Sequence, residues 1–261
     1  MAESSSKPDP NFHIYLAFGQ SNMEGQGTVD TQDKIEEKRF KVISTDNDCA
    51  GRKLGQWYPA IPPIVNNFGK LGPLDYFGRT LVKKLPENIT IGVVPVAIAG
   101  CDIQLFEEEN YKEYTYTAPD WMQDRINHYG GNPFRRLVDI AKIAQKSGII
   151  KGILLHQGET NNGQEDWPKR IKVIYEALLK ELNLKAENVP LLAGEVVRSE
   201  YEGVCSPHNE IIKKLPDVIP TAHVISAEGL KDEGDNLHFS SESYRIFGER
   251  YANKMFELLN C

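Results

Sequence analysis

The sequence predicts an α/β fold built on one parallel sheet with helices on both faces. Two stretches, IIKGILL and PLLAGEVV, are nearly continuous in apolar residues, as strands buried on both sides are. Such runs alternate with amphipathic stretches along the chain, which implies repeated βαβ units. The length, 261 residues with 40% hydrophobic, suits a single domain with a sizeable core.

The elements follow in order. Residues 1–11, MAESSSKPDPN, read as a disordered leader, and residues 12–261 as one domain. Strands are expected at His13–Phe18, Phe40–Ser44, Ile89–Ile98, Ile149–Leu155, Pro190–Val196 and His223–Ala227. Helices are expected at Pro73–Lys84, Pro133–Lys146, Trp167–Leu182, Asn209–Lys214 and Ser241–Leu259. In the last of these, Tyr244, Phe247, Tyr251, Met255 and Leu258 recur at three- and four-residue spacing and form one apolar face. The stretch from Cys49 to Gly72, rich in Gly, Pro and Asn, reads as a long loop at the edge of a functional site. No internal repeat is visible.

Composition excludes several classes. Charged residues make up 26%, too many apolar residues accompany them for a disordered chain, and the net charge of −7 argues against general nucleic-acid binding. Such a balance suits a neutral substrate such as a sugar ester. Cys49, Cys101, Cys205 and Cys261 contain no CxxC pair, so a structural zinc site is not expected. No apolar run of about 18 residues occurs, so no membrane span is expected. The polar N-terminus lacks the apolar stretch of a signal peptide. A cytoplasmic protein, or a secreted one whose signal has been removed, is expected.

Four segments carry candidate chemistry. In IYLAFGQSNMEGQG, Ser21 falls just past a strand end, where ligands bind in open parallel sheets. A nucleophile there has backbone N–H groups beside it for an oxyanion; the plainer reading is a helix cap. Gly19, Gly25 and Gly27 fit neither phosphate-loop spacing. In DNLHFS, Asp235 stands three residues before His238, so a carboxylate can orient an imidazole; the plainer reading is a surface turn. LLHQGETN sets His156, Gln157 and Glu159 at another strand end, with a buried polar network as the plainer reading. In VAIAGCDI, Gly100 can offer its N–H to the site, and the neighbouring Cys101 is a rival nucleophile without an evident histidine. Trp57, Trp121 and Trp167 can stack on sugar rings or simply pack, with Trp57 the first candidate.

Taken in order, GQSNM, the Gly after a strand, HQGE and the C-terminal DxxH resemble SGNH/GDSL hydrolases. The closer likeness is to carbohydrate esterase family 6, the acetylxylan esterases, and the related sialate O-acetylesterase-like group. The resemblance covers residues 12–259. It implies a three-layer α/β/α sandwich with a parallel, flavodoxin-like central sheet. It also implies Ser21 as nucleophile, His238 as general base, and an oxyanion hole of Ser21 N–H, Gly100 N–H and the Gln157 side chain, which stands where many SGNH enzymes have Asn. For the acid partner of His238, family precedent names Asp235, while Glu159 at the strand end is a rival. The implied reaction is removal of O-acetyl groups from carbohydrate, most simply acetylated xylan, through an acetyl-serine, with no metal or cofactor. A sialate or other small-sugar O-acetylesterase is the alternative enzyme, and an inactive carbohydrate-binding domain the alternative class.

Overall fold

The computed structural model describes residues 7–259. In chain order the strands are β1 (Phe12–Gly19), β2 (Phe40–Ile43), β3 (Trp57–Pro59), β4 (Thr90–Ala97), β5 (Ile149–His156), β6 (Leu191–Gly194) and β7 (Ala222–Ile225). The helices are α1 (Ser21–Glu24), α2 (Pro73–Lys84), α3 (Tyr111–Thr117), α4 (Asp120–His128), α5 (Pro133–Ala144), α6 (Trp167–Glu181), α7 (Asn209–Ile212), α8 (Leu215–Val218) and α9 (Ser241–Leu259).

One seven-stranded sheet, in the order β3-β2-β4-β1-β5-β6-β7, forms the centre. It is parallel except at its edge, where β3 runs antiparallel to β2. With β4 lying between β2 and β1, the order departs from the flavodoxin 2-1-3-4-5 arrangement. In that place β4 pairs with β1 from Phe12↔Thr90 to Gly19↔Ala97, and with β2 from Phe40↔Ile91 to Val42↔Val93.

Alternation along β1 sorts its side chains to two cores. Ile14, Leu16 and Phe18 join Leu137 of α5 and Ile171 of α6; Tyr15 and Ala17 join Phe77 of α2 and Phe247 of α9. Three layers result. The C-terminal helix buries Tyr244, Phe247, Tyr251 and Met255 completely, as its spacing predicts. Pro133 opens α5 after Asn132, whose side chain accepts from the Arg135 N–H at 3.0 Å.

From β1 the chain moves one way across the sheet to β2 and β4, then the other way to β5, β6 and β7. The crevice at this reversal opens past the carboxyl ends of β1, β4 and β5. The expected leader becomes ordered before its end: Asp9 donates its N–H to Ser147 O at 3.0 Å, and Phe12 donates to Asp9 O at 3.1 Å. Residues 1–6 and Cys261 lie outside the described residues; Cys49, Cys101 and Cys205 are free thiols. Among the described residues no helix is long and apolar enough to cross a membrane.

Two positions generate stability predictions. On α9, a Cβ at Gly248 would lie 2.3 Å from Pro73 O and 2.8 Å from Phe77 N, so only hydrogen lets α9 approach the backbone of α2. Gly248→Ala is expected to lower the free energy of unfolding by about 1–3 kcal/mol, read by urea denaturation. His208 is fully buried, edge-on to Trp167, with neither ring nitrogen partnered among the described residues. Burial pushes its pKa down from 6.5 to about 4. Between those values the unfolded imidazole binds a proton and the folded one does not, so stability rises with pH across that window and is lost as pH falls through it. His208→Phe should flatten the fall in melting temperature between pH 6.5 and pH 4; an unchanged slope would refute the assignment.

Candidate functional site

Ser21 is placed by a sharp exit from the sheet. A Cβ at Gly19 would lie 2.0 Å from His156 O, so the last residue of β1 passes β5 too closely for any side chain. Gln20 N–H donates to that same carbonyl at 3.0 Å, and Ser21 begins α1. Its hydroxyl is nearly covered, at 4% residue exposure, and sits at the floor of the crevice.

The loop between β7 and α9 delivers the imidazole. Asp235 Oδ1 accepts from the N–H groups of Leu237 at 2.9 Å and His238 at 2.8 Å, closing a turn that folds the carboxylate back on the ring. Asp235 Oδ2 then lies 2.6 Å from His238 Nδ1, and His238 Nε2 lies 3.0 Å from Ser21 Oγ. Partial burial opposes ionisation of Asp235, but the hydrogen bonds from His238 and Leu237 outweigh it and hold the carboxyl below its usual range. A carboxylate ionised in this way keeps the imidazole oriented and matches the charge it gains when it takes a proton.

Asn22, fully buried next to Ser21, brackets the histidine. Its Nδ2 donates to Leu237 O at 3.0 Å and its Oδ1 accepts from Phe239 N–H at 3.3 Å, one residue on each side of His238. Tyr244 OH donates to the same Oδ1 at 2.6 Å. Glu159 Oε1 accepts from Asn22 Nδ2 at 2.6 Å and lies 3.5 Å from His156 Nδ1. Of the two candidate acids, then, the structure brings Asp235 to the imidazole. Glu159 stands behind Asn22, too far along this chain of contacts to orient His238 directly. Sequence reasoning missed Asn22, although it is a letter of the GQSNM motif; its signal was adjacency to Ser21.

On the other flank, Gly100 adopts φ +75, the left-handed region that favours glycine. Among the described residues neither the Ser21 nor the Gly100 N–H donates to another group, and both residues line the same cavity. Gln157 is placed differently from expectation. It is buried beneath the cavity, its Nε2 within reach of Gln20 Oε1 at 3.1 Å, Cys101 O at 3.3 Å and Asn161 Oδ1 at 2.5 Å. Its Oε1 accepts from Trp167 Nε1 at 2.5 Å. With its amide hydrogens spent on these acceptors, Gln157 holds the floor and offers no third oxyanion donor. Gln20, also missed, ties this floor to the HQGET loop: its Oε1 accepts from the N–H groups of Gly158 and Thr160, both at 3.3 Å.

The rival nucleophile and two tryptophans fall away from the site. Cys101 is fully buried, its thiol 3.7 Å from Gly19 O, and burial pushes its pKa well up, so it has no thiolate to offer. Trp57 packs on Phe12 at the sheet edge and donates to Ser147 Oγ, away from the cavity, because β3 carries it there. Trp167 is a core residue. Trp121, on α4, does line the cavity, half exposed. The stretch expected as one loop over 49–72 contains β3, and it approaches the cavity through Phe68, whose ring lies 4.7 Å from the guanidinium carbon of the cavity-lining Arg125.

The cavity is open, about 520 Å³, with Ser21, Gly100 and His238 on one side and Trp121, Arg125 and Val204 around its mouth. Glu233, Asp235 and His238 bring ligand-type atoms within 4.8 Å of one another, but Asp235 and His238 are engaged with each other. A hydroxyl, an imidazole and a carboxylate in a hydrogen-bonded row, beside two undirected N–H groups, have the geometry of acyl transfer.

The comparisons with known proteins agree with this architecture. A protein from Arabidopsis thaliana has a similar structure, with TM-score 0.73, 20% identity, and 95% of this chain and 99% of that one covered. NanS is similar at TM-score 0.70 and 16% identity, with 98% and 99% covered. A carbohydrate acetylesterase from Xanthomonas citri matches at TM-score 0.63 and 17% identity, over 92% of this chain and 55% of that chain. At these identities the likeness is one of fold. The sequence model for carbohydrate esterases described as sialic acid-specific acetylesterase matches residues 11–257, nearly the whole domain, and the chain belongs to that family.

Proposed function

We propose that this chain is a serine esterase that removes O-acetyl groups from carbohydrate. The observation that carries the reading is the row Ser21 Oγ–His238 Nε2 at 3.0 Å and His238 Nδ1–Asp235 Oδ2 at 2.6 Å, at the floor of an open cavity. His238 takes the proton of Ser21 as its oxygen attacks the acetyl carbonyl. The N–H groups of Ser21 and Gly100 receive the oxyanion, each such donor contributing on the order of 3 kcal/mol. The tetrahedral adduct collapses, the C–O bond to the sugar breaks, and His238 returns the proton to the departing hydroxyl. Water then attacks the acetyl-serine by the same route, releasing acetate. Gln157 and Gln20 fix the floor, and Asn22 and Glu159 fix the base. An inactive binding domain would have no need to hold these groups in register.

For the sugar, acetylated xylan is the simplest expectation from the sequence. Membership of a family described as sialic acid-specific supports an O-acetylated small sugar such as a sialate equally well.

Ser21→Ala should reduce turnover of 4-nitrophenyl acetate by a factor on the order of 10³ or more. Far-UV circular dichroism should be unchanged, and the acetyl adduct seen by mass spectrometry in the wild type should disappear. Near wild-type turnover in this folded variant would sink the nucleophile assignment. The two acids separate in a second pair of variants. Asp235→Asn removes the charge facing His238 and should lower kcat by a factor on the order of 10³–10⁴. Glu159→Gln keeps an acceptor for Asn22 and should cost no more than about tenfold. The reverse ranking would transfer the orienting role to Glu159.

A further inference from the structure

His156 closes β5 as a fully buried side chain that the acyl-transfer steps do not use. Its ring packs against those of Phe239 and Phe247, at centroid distances of 5.8 and 5.6 Å, and an added Cβ at Gly194 would meet its Cδ2 at 2.7 Å. One ring nitrogen, Nε2, lies 2.9 Å from Glu195 O. The other, Nδ1, lies 3.5 Å from Glu159 Oε1, an ion-pair distance, and has no hydrogen-bond partner among the described residues. A carbonyl oxygen only accepts, and so does an ionised carboxylate. A neutral imidazole carries one N–H and one lone pair, so either tautomer sets a lone pair against an acceptor. With the proton on Nε2 the bare Nδ1 faces Glu159; with the proton on Nδ1 the bare Nε2 faces Glu195 O. The imidazolium, which donates from both nitrogens, suits both neighbours.

Glu159 calls for a cation on its own account. Its side chain is buried, its Oε1 accepts from Asn22 Nδ2 at 2.6 Å, and among the described residues its Oε2 has no hydrogen-bond partner. A buried carboxylate left without a counter-charge is costly. The other titratable groups that feel its charge are Cys101 after β4, Cys205 and His208 before α7, and Tyr244 and Tyr251 of α9. Burial pushes the two thiols and two phenols up and pushes His208 down to about 4, so all five are neutral near pH 7. Beyond the ring, the Glu195 carboxylate accepts from Ala227 N–H at 2.9 Å and lies 3.9 Å from Arg198 Nε. Among the described residues, His156 is the one group at ion-pair distance from Glu159 that can carry positive charge.

We propose that His156 is an imidazolium ion-paired to Glu159 and that, through Glu159 and Asn22, it is a positioning residue for His238. The pair keeps Glu159 charged, and a charged acceptor makes the 2.6 Å bond from Asn22 stronger than a neutral one would. Asn22 in turn holds Leu237 O and Phe239 N–H, on either side of His238. The positioning role rests on the esterase reading; the charge of the ring does not. Removing His156 alone strands a buried carboxylate, whereas replacing both members strands nothing.

Nitrogen-15 spectra of histidine-labelled protein test the charge. At about pH 7.5 an ordinary exposed imidazole is mostly neutral. The His156 signal, assigned by its loss in His156→Leu, should show both ring nitrogens protonated. In Glu159→Gln a carboxamide can donate to Nδ1, so the ring should become neutral with its proton on Nε2. A neutral His156 in the wild type, in either tautomer, overturns the ion pair. Turnover of 4-nitrophenyl acetate tests the positioning. His156→Leu should lower kcat by about tenfold more than Glu159→Gln does, with KM little changed. The double variant should recover to within about threefold of Glu159→Gln, which a packing void alone would not allow. A double variant no better than His156→Leu, or His156→Leu with wild-type kcat, refutes the positioning role. Where His156→Leu does not fold, His156→Gln, which also removes the charge, takes its place in both measurements. A wild type that never turns over the ester overturns the esterase reading instead. The ring spectra then still decide the ion pair, and the Nδ1–H proton signal of His238 reports its position. That signal should shift in His156→Leu and return in the double variant; a signal that does not move refutes the coupling.

Discussion

The side chain of Asn22 is the contact on which the candidate site turns. Ser21 and His238 are 217 residues apart in sequence, and their 3.0 Å separation depends on fixing one loop against another. Asn22 does so by donating to Leu237 O and accepting from Phe239 N–H, seizing the backbone on each side of the imidazole. A carboxamide donates from one atom and accepts at the other, which matches a carbonyl and an N–H two residues apart. Aspartate would set an acceptor against Leu237 O, and leucine would leave both loop groups unpaired, each costing about 1–3 kcal/mol where buried. Tyr244 and Glu159 hold Asn22 from behind, so the geometry of the base is inherited from the core of α9 and the end of β5.

A second polar layer supports the first. Gln20, Gln157, Asn161 and Trp167 form a buried row beneath the cavity, joining the ends of β1 and β5, and Asn161 Oδ1 also accepts from Ile103 N–H past β4. Networks of this kind rigidify a site when every member is satisfied and are costly when one is removed. The Gly100 turn can therefore leave its N–H undirected, because neighbouring groups fix the loop around it: Ala99 N–H bonds Glu24, and Thr160 Oγ1 donates to Gly100 O at 3.0 Å.

Much of this was legible in the sequence for definite reasons. Eight-residue strands such as β1 and β4 are nearly continuous in apolar residues, and Tyr244, Phe247, Tyr251 and Met255 of α9 are fully buried at helical spacing. By contrast, β3 has three residues, too few for any period, and α4 buries only Met122 and Ile126. Missing α4 concealed the surroundings of Arg125, since a lone Arg in a polar stretch carries no pattern. Ser21 and His238 were legible as candidates because each sits in a short motif, GQSNM and DxxH. The partner of a buried amide is set by residues far away in sequence, which is why Gln157 was expected to face the oxyanion and instead binds Trp167. The choice between Asp235 and Glu159 was open because both follow a strand; the turn at Asp235 brings its carboxylate to the ring, while Glu159 is engaged by Asn22.

The distance in sequence between Ser21 and His238 also governs when the candidate site forms. β1 is the central strand, yet its neighbours β4 and β5 follow much later in the chain, so the early segment has no sheet to join as it leaves the ribosome. Domains dominated by such distant pairings fold slowly compared with helical bundles. The row of Ser21, His238 and Asp235 closes only after the loop preceding α9 has been synthesised and α9 has packed against α2. The Ser21 hydroxyl therefore meets His238 only once the segment carrying α9 has been made and has packed against α2, so the candidate site forms together with the fold that joins β1 to α9.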